Sequence, residues 1–390
     1  MKVLITDGSY KHTLGIVRAL GQKGINVEVM DSSQNAKSFY SKFCYQRIMC
    51  PSLDDREDYI AFLKSICRKN RYDLLIPVGF GTTQLVSKNK EELMRYVNFE
   101  VADFEKVKIA LSKKETYKLA QKVGVPYPKT FYPKFFEEIE KLSNFLEYPI
   151  VVKGLEEAGK NVVTYVRSRR ELIIKYKKVC EENRLDENNL PMLQEYIRGG
   201  GYGFFALYQQ GKCKRIFMHK RIREYPPSGG YSTCAESFYD PRLKEYGMRL
   251  LDALKWHGVA MVEFKKDERN GKYRLMEINP KFWGSLDLAL AAGVNFPYYL
   301  CEMAMGKELD YSEEYNRNIR FHWPFSGDIQ HIIKKPYSFP EFFIDCVNLK
   351  VKSNIWLEDL KPNVLEMGNL IIFLIPDKAK KLLKLILRKA

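Results

Sequence analysis

The chain predicts a mixed α/β and α+β protein: a doubly wound parallel unit first, then two α+β lobes, then a C-terminal extension. Three observations carry this. Residues 1–110 alternate strand-like and helix-like segments, the pattern of a parallel sheet with crossover helices. A helix-like segment then ends at Gly124-Val-Pro126, a helix stop followed by a Pro-rich linker. Finally, Met261-Val-Glu263-Phe and Leu275-Met-Glu277-Ile-Asn279-Pro-Lys281 flank Asn270-Gly271 as two strands flank a tight turn.

In the first unit, residues 2–6 read as a strand, 12–23 as a helix, 26–31 as a strand, 55–70 as a helix, 73–78 as a buried strand and 90–97 as a helix. Such a unit invites a dinucleotide-binding reading, which the residues reject. The first turn, from Asp7 to Gly15, lacks Gly-x-Gly-x-x-Gly. Gly79-Phe-Gly81-Thr-Thr-Gln84 lacks the third glycine that lets helix and strand pack closely. Both turns follow the carboxyl ends of strands, where open α/β sheets bind ligands, so residues 7–11 and 79–83 are expected to line a cleft. Residues 111–198 read as a linker helix and a small lobe, with strands at 149–153, 161–166 and 192–197 and a helix at 168–183. Residues 199–310 read as a larger lobe containing the hairpin. Residues 311–390 are less regular, interrupted by Pro336, Pro340, Pro362 and Pro376.

A hydrophobic content of 45% with 13% aromatics is that of a globular protein. The 390 residues allow several sub-domains with sizeable cores. Lys and Arg total 64 against 48 Asp and Glu, a formal charge of +16, which favours anionic partners. The basic residues are spread along the chain and accompany no nucleic-acid motif, so no specific nucleic-acid partner is expected. The eight cysteines form no Cys-x-x-Cys pair and read as the reduced thiols of a cytoplasmic protein. Met1-Lys-Val-Leu-Ile-Thr reads as a strand rather than a signal peptide. No apolar run approaches the roughly 18 residues that span a bilayer.

The hairpin carries the chemistry. With a loop of Arg269-Asn270-Gly271 and Gly271 left-handed, Glu263 falls opposite Glu277; a two-residue loop breaks this register. Alternation places Glu277 and Asn279 on one face and turns Val262, Phe264, Met276 and Ile278 to the core. Two carboxylates and an amide oxygen are hard ligands, suited to magnesium held against nucleotide phosphates and unsuited to zinc or copper. The competing reading is a solvent-facing hairpin with ordinary surface acids. Gly154-Leu-Glu-Glu-Ala-Gly159-Lys160-Asn161 nearly fits the Walker phosphate loop, but Asn161 has no hydroxyl for magnesium. The β-branched run that follows suits a strand, whereas that loop must open a helix. A hairpin turn between strands is expected there.

Taken in order, the pieces are an α/β unit, a helix begun by lysine and ended by Gly-Val-Pro, Tyr148-Pro-Ile-Val-Val-Lys153-Gly, Gln194-Glu-Tyr-Ile197, and Glu263 followed by Glu277-Ile-Asn279-Pro. This resembles the ATP-grasp superfamily over residues 1–310. The branch is similar to the large subunit of carbamoyl-phosphate synthase, biotin carboxylase and the D-alanine and D-aspartate ligases. The resemblance implies an ATP-grasp fold: a pre-ATP-grasp domain over 1–110 and two lobes, 111–198 and 199–310, that grip ATP. It implies that Lys113, with Lys114 as the adjacent contender, and Lys153 reach the phosphates. Gln194, Glu195, Tyr196 and Ile197 would form the interlobe hinge, with backbone groups of Glu195 and Ile197 on adenine. Glu263, Glu277 and Asn279 would hold one or two magnesium ions, manganese being the alternative.

The chain departs from the family pattern twice. Where many relatives carry an acid for the ribose hydroxyls, it has Arg198-Gly-Gly-Gly-Tyr-Gly203. Where many have Asn-x-Arg, it has Asn279-Pro-Lys281, which keeps the charge but loses the bidentate fork. The implied catalytic cations are therefore Lys281, Arg221 and Arg223. The arginines lie in His219-Lys-Arg221-Ile-Arg223-Glu-Tyr-Pro-Pro-Ser-Gly-Gly230, which resembles the active-site segment of this branch; its plain reading is a solvated basic strand. His12, His219, His257, His322 and His331 are each expected to be structural rather than catalytic, although His219 lies within that segment.

The implied activity is an ATP- and magnesium-dependent carboxylate–amine ligase working through an acyl phosphate. Its substrates would be an anionic small molecule or a cell-envelope precursor carboxylate, and an amine. The rivals are a bicarbonate-using carboxylase or carbamoyl-phosphate-forming enzyme, and a nucleotide-binding module without chemistry. Relatives make a homodimer a further expectation. From Pro376 to Ala390 an amphipathic basic helix is expected, with Ala379, Leu382, Leu383 and Ile386 on one face. Two roles suit it: docking on its own protein, or peripheral contact of a cytoplasmic protein with an anionic membrane.

Overall fold

The structure is a computed structural model and describes residues 1–155, 162–187 and 189–375. The first unit holds a parallel sheet of β1 (Lys2–Ile5), β2 (Asn26–Asp31), β3 (Cys44–Met49) and β4 (Leu74–Ile76), in the order β3-β2-β1-β4. β1 shows why it is doubly wound. Val3 and Ile5 pack with Ile16 and Val17 of α1 (Lys11–Gly21), while Leu4 points the other way, to Tyr59 and Leu63 of α2 (Arg56–Asn70). A strand buried on both faces needs helices on both. Asp55 caps α2 by accepting from Asp58 N at 3.0 Å.

Three elements here differ from expectation. β3 is an edge strand whose polar sequence Cys-Tyr-Gln-Arg-Ile-Met masked it. Residues 79–83, expected only as a turn, open α3 (Phe80–Lys88). α4 (Lys90–Leu93) is shorter than the predicted 90–97. The strand order reverses between β1 and β4, and Asp7 closes that crevice: its Oδ2 accepts from Gly79 N at 2.8 Å and Thr82 Oγ1 at 2.7 Å.

α5 (Phe104–Leu111) leads through Ser112, which caps by accepting from Glu115 N at 3.3 Å, into α6 (Lys113–Lys122). Gly124, at φ +70°, stops it. The small lobe follows: β5 (Thr130–Phe131), α7 (Phe136–Ser143), β6 (Ile150–Lys153), β7 (Val163–Val166), α8 (Arg169–Asn183) and β8 (Met192–Glu195). Its antiparallel sheet has the order β5-β8-β6-β7. Lys153 pairs with Val163, so a strand and not a helix follows the Walker-like segment. Its residues 156–161 lie outside the described residues.

The large lobe is made of β9 (Gly201–Gln209), β10 (Lys212–Tyr225), β11 (Tyr231–Ser237), α9 (Pro241–Ala253), β12 (Gly258–Lys266), β13 (Tyr273–Asn279), α10 (Leu286–Ala291) and α11 (Phe296–Ala304). The chain continues through β14 (Arg320–His322), α12 (Ile329–Lys334), α13 (Phe339–Val347), β15 (Lys352–Ser353) and α14 (Lys361–Leu374). Among the described residues the large sheet runs β13-β12-β9-β10-β11-β14-β15. Alternation gives it two apolar faces. Phe205, Leu207, Phe217 and Met261 share a core with β1 and α1, whereas Phe204, Ala206, Met218 and Val262 share one with α5, α6 and α9. One face of this sheet therefore looks toward the N-terminal unit, and the site lies on that face.

Residues beyond 310 are built into this body. β14 and β15 extend the sheet, and α14 with the segment just before it is tied to the first unit by polar contacts. Arg18 Nε lies 2.8 Å from Asp359 Oδ2, Arg18 Nη1 donates to the Asn354 carbonyl at 2.8 Å, and Lys37 pairs with Glu366 at 2.5 Å. The expected amphipathic segment 376–390 lies outside the described residues. No helix among the described residues is long and apolar enough to cross a membrane.

Candidate active site

The hairpin of β12 and β13 places Glu263 opposite Glu277 and Met261 opposite Asn279. It reaches this register by a different route from the one expected. The loop takes residues 268–271, with Gly271 at φ +66° and its N–H donating to the Asp267 carbonyl at 2.7 Å. The loop is thus longer than Arg269-Asn270-Gly271, and pairing starts one step off, with Lys266 against Tyr273 and Phe264 against Leu275. A β-bulge at Met276 absorbs the step before Glu277.

Glu263, Gly203 and His219 stand side by side on β12, β9 and β10. The glycines of β9 keep this face shallow. A Cβ at Gly203 would come 3.0 Å from His219 Cδ2, and one at Gly201 would come 2.7 Å from Arg221 Cδ. Over that clearing the Arg221 side chain passes from β10 to β12. Its Nη2 lies 2.5 Å from Glu263 Oε2, its Nη1 donates to the Gly230 carbonyl at 2.9 Å, and Glu224 Oε1 is 3.6 Å away. Arg221 Nε is buried with no partner among the described residues, a donor left for a ligand. Glu224 and the two glycines went unrecognised in the sequence; the run Gly199-Gly-Gly-Tyr-Gly203 was the signal for the glycines, and Glu224 had none.

The electrostatics follow from crowding. Burial raises the Glu263 carboxyl above its usual range; the Arg221 charge opposes this and facing Glu277 reinforces it. Burial likewise works against the Arg221 charge, but Glu263 and Glu224 outweigh it and hold the guanidinium pKa above its ordinary value. Asn279 Nδ2 donates to Glu277 Oε1 at 2.9 Å, which leaves the amide oxygen as the atom to offer a cation. Two opposed carboxylates and an amide oxygen fit a hard divalent ion. Among the described residues no three His, Cys, Asp or Glu side chains are grouped to hold a metal, so these side chains alone make an incomplete shell.

Lys281 follows Asn279 out of the hairpin. Its Nζ donates to the Phe282 carbonyl at 3.0 Å and lies 4.3 Å from the centroid of Phe80 on α3. Arg223, expected beside Arg221, is not brought to the site. A β-bulge separates the two on β10. Arg223 Nε and Nη2 each donate to Asp328 at 2.7 Å and Nη1 donates to Asp345 at 2.7 Å, so its fork is consumed in a buried cluster. His219 is fully buried against Phe205, with neither ring nitrogen hydrogen-bonded among the described residues.

The small-lobe candidates sit at that lobe's edges. Lys113 opens α6 and is buried; its backbone N donates to the Leu155 carbonyl at 3.0 Å, next to the β6–β7 connection. Lys153 ends β6 and is half-buried. Gln194 Nε2 donates to Tyr117 OH and Thr130 Oγ1, each at 3.0 Å. The Glu195 carboxylate pairs with Arg269 of the hairpin loop, joining the two lobes. Its N–H already donates to the Lys129 carbonyl at 2.9 Å. Tyr196 meets Tyr165 edge-on, and the Ile197 carbonyl accepts from Lys265 Nζ at 3.5 Å.

Residues 190–324 match a family described as ATP-grasp in the biosynthetic pathway with Ter operon. The D-aspartate ligase of Enterococcus faecium is 22% identical over 321 residues, covering 76% of this chain and 75% of that one. The N-terminal section of the carbamoyl phosphate synthase large chain of Methanopyrus kandleri is 22% identical over 308 residues. That match covers 75% of this chain and 53% of the relative's length. The crystal structure of the biotin carboxylase–βγ-ATP complex from Campylobacter jejuni superposes with a TM-score of 0.68 at 16% identity. It covers 82% of this chain and 74% of the carboxylase.

Proposed function

We propose that this chain, whose fold is that of the ATP-grasp superfamily, is an ATP- and magnesium-dependent ligase that joins a carboxylate to an amine. The observation that carries the reading is the half-buried, opposed pair Glu263–Glu277 with Arg221 laid against Glu263. Opposed acids in a buried setting call for a cation, and an arginine with an unspent donor beside them calls for an oxyanion. The ligase relative, similar over three quarters of both chains, supports the same reaction class.

In this reading Glu263, Glu277 and the Asn279 oxygen hold magnesium. When bound, the ion would supply the positive charge that offsets the phosphate charge during transfer. Lys113 and Lys153 reach the phosphates from the small lobe, and the stretch from Gln194 to Ile197 supports the base. A substrate carboxylate attacks the γ-phosphorus and releases ADP, giving an acyl phosphate. Arg221 supplies the fork that Lys281 lacks and stabilises the oxyanion, while Lys281 adds a point charge. An amine then attacks the acyl carbon, forms the C–N bond and expels phosphate, which leaves far more readily than oxide. The substrates are small molecules, one of them anionic, and the free cysteines suit a cytoplasmic setting.

The test is thermal unfolding with and without ATP and magnesium, beside Glu277→Ala. Ligand at one hundred times its dissociation constant stabilises by about 2.7 kcal/mol. A magnesium-dependent shift in the native chain and none in the variant is the expected result. Phosphate release is then screened over carboxylate–amine pairs, with labelled bicarbonate as a separate arm. Nucleotide binding without phosphate release under any mixture would leave a binding module, and label incorporation from bicarbonate would make the chain a carboxylase.

A further inference from the structure

The N-terminal end of α1 meets the exit of the hairpin where positive charge converges. A Cβ at Gly284, just past Lys281, would come 3.3 Å from Lys11 Cε; one at Gly15 would come 2.5 Å from Asp287 Oδ1. These glycines let α1 lie flat on the chain that leaves the hairpin. Lys11 Nζ donates to the Ser232 carbonyl at 3.0 Å and stands 4.3 Å from the centroid of Trp323 and 5.1 Å from that of Tyr231. No carboxylate among the described residues pairs with it.

The acids nearby are committed elsewhere: at the start of α1, Asp7 is held by Gly79 and Thr82, and Asp31 accepts from Ser9 N at 2.8 Å and Ser33 N at 2.7 Å. Asp287 accepts from Trp323 Nε1 at 2.8 Å. Glu366 accepts from Lys37 at 2.5 Å and Ser326 at 2.6 Å. Asp328 holds Arg223. Beside Lys11, His12 is 6% exposed, and neither of its ring nitrogens has a hydrogen-bond partner among the described residues. Its ring stacks on Tyr10 at 5.1 Å. Burial above all, and then the charges of Lys281, Lys11 and Lys37, keep it neutral.

An orphaned buried imidazole is destabilising, and cations gathered at low dielectric repel one another. Both penalties reverse when an oxyanion enters. A neutral imidazole offers one N–H, Lys11 offers charge, and α1 presents its positive end with no acid in the first turn. We propose that Lys11, His12 and the N-terminal end of α1 form a subsite for an oxyanion, carboxylate or phosphate, that the substrate carries in addition to its reacting carboxylate. The carboxylate substrate is then at least dianionic: a dicarboxylic acid or a phosphorylated acid. Assigning the oxyanion to a substrate rests on the ligase reading above.

The experiment is thermal unfolding of the full chain at saturating magnesium–AMPPNP, titrated with inorganic phosphate, succinate and acetate. Phosphate or succinate, but not acetate, is expected to stabilise the protein, and whichever acts names the source of the oxyanion. Lys11→Met and His12→Leu are expected to weaken that response by about tenfold or more, equivalent to 1.4 kcal/mol, with the nucleotide shift intact. Lys11→Arg is expected to retain it. The proposal is overturned if neither anion stabilises the native protein at tens of millimolar, or if both variants respond as the native chain does. Should the variants not fold, the ¹⁵N resonances of His12 in the native protein decide: phosphate or succinate moves them or the subsite is absent. Loss of the nucleotide shift with the anion response kept would sink the ligase reading alone.

Discussion

Arg221 and Glu263, on β10 and β12, meet at 2.5 Å across β9, where Gly201 and Gly203 carry no side chain to keep them apart. The guanidinium thus balances a carboxylate that faces a second one, Glu277. Removing one member of a buried pair typically costs about 3–5 kcal/mol, because the other stays buried and unpaired. Arg221→Met is therefore expected to lower stability by that order in metal-free buffer. Magnesium chloride should restore more stability in the variant than it adds to the native chain. Equal responses to magnesium in thermal unfolding would show that Arg221 and the metal do not compete for these acids.

The β9 glycines make a second prediction. A Cβ at Gly201 meets the Arg221 side chain itself, and one at Gly203 meets the Phe205 ring before it meets His219. Overpacking of this kind costs about 1–3 kcal/mol. Gly201→Ala should displace Arg221 and slow phosphate release more than it lowers the melting temperature. Gly203→Ala should mainly destabilise. Unchanged turnover in Gly201→Ala would mean that the reach of Arg221 does not limit the chemistry.

Arg18 links α1 to Asp359, Asn354 and Asn363 near the chain's far end, all of them buried. Arg18→Met strands Asp359 and is expected to cost about 3–5 kcal/mol. Denaturant unfolding measures the loss. Hydrogen exchange should rise in α14 before the central strands of the large sheet, and exchange that rises evenly everywhere would count against a local latch.

Lys11 titrates unusually low. Burial pulls its ammonium from 10.5 to about 7, against the opposing pull of Asp287. Below about pH 7 both folded and unfolded chains hold the proton, and the burial penalty stands in full. Between that pH and 10.5 the unfolded chain binds more protons, so stability contributed by Lys11 rises with pH. Lys11→Met should therefore gain most on the native protein near pH 6 and lose that advantage toward pH 10. A stability difference that does not vary with pH would contradict the burial of this charge.

Much of this was legible in residue order, for local reasons. The Asn270-Gly271 turn and flanking alternation put Glu263 against Glu277, although a longer loop and a bulge cooperate to do so. The 26–31 strand, the Asp55 cap and the Gly124 stop follow from chain-local sterics and hydrogen bonding. β3 escaped notice because an edge strand needs no apolar run. α3 escaped because Gly79 and Gly81 look like a turn until Leu53 and Asp7 are seen packed against them.

The sequence by itself determined the order of units and the type of oxygen ligand, since spacing and side-chain chemistry are properties of the chain. It also placed Arg221 and Arg223 as equals. Only the tertiary structure separated them: a β-bulge and the distant acids Asp328 and Asp345 claimed Arg223, while Glu263 claimed Arg221. The neighbours of Lys11 and His12 likewise come from residues some 270 positions away, at 281–287, and are invisible to any local pattern. Ion pairing and burial depend on distance in space, and for these residues distance along the chain says nothing about it.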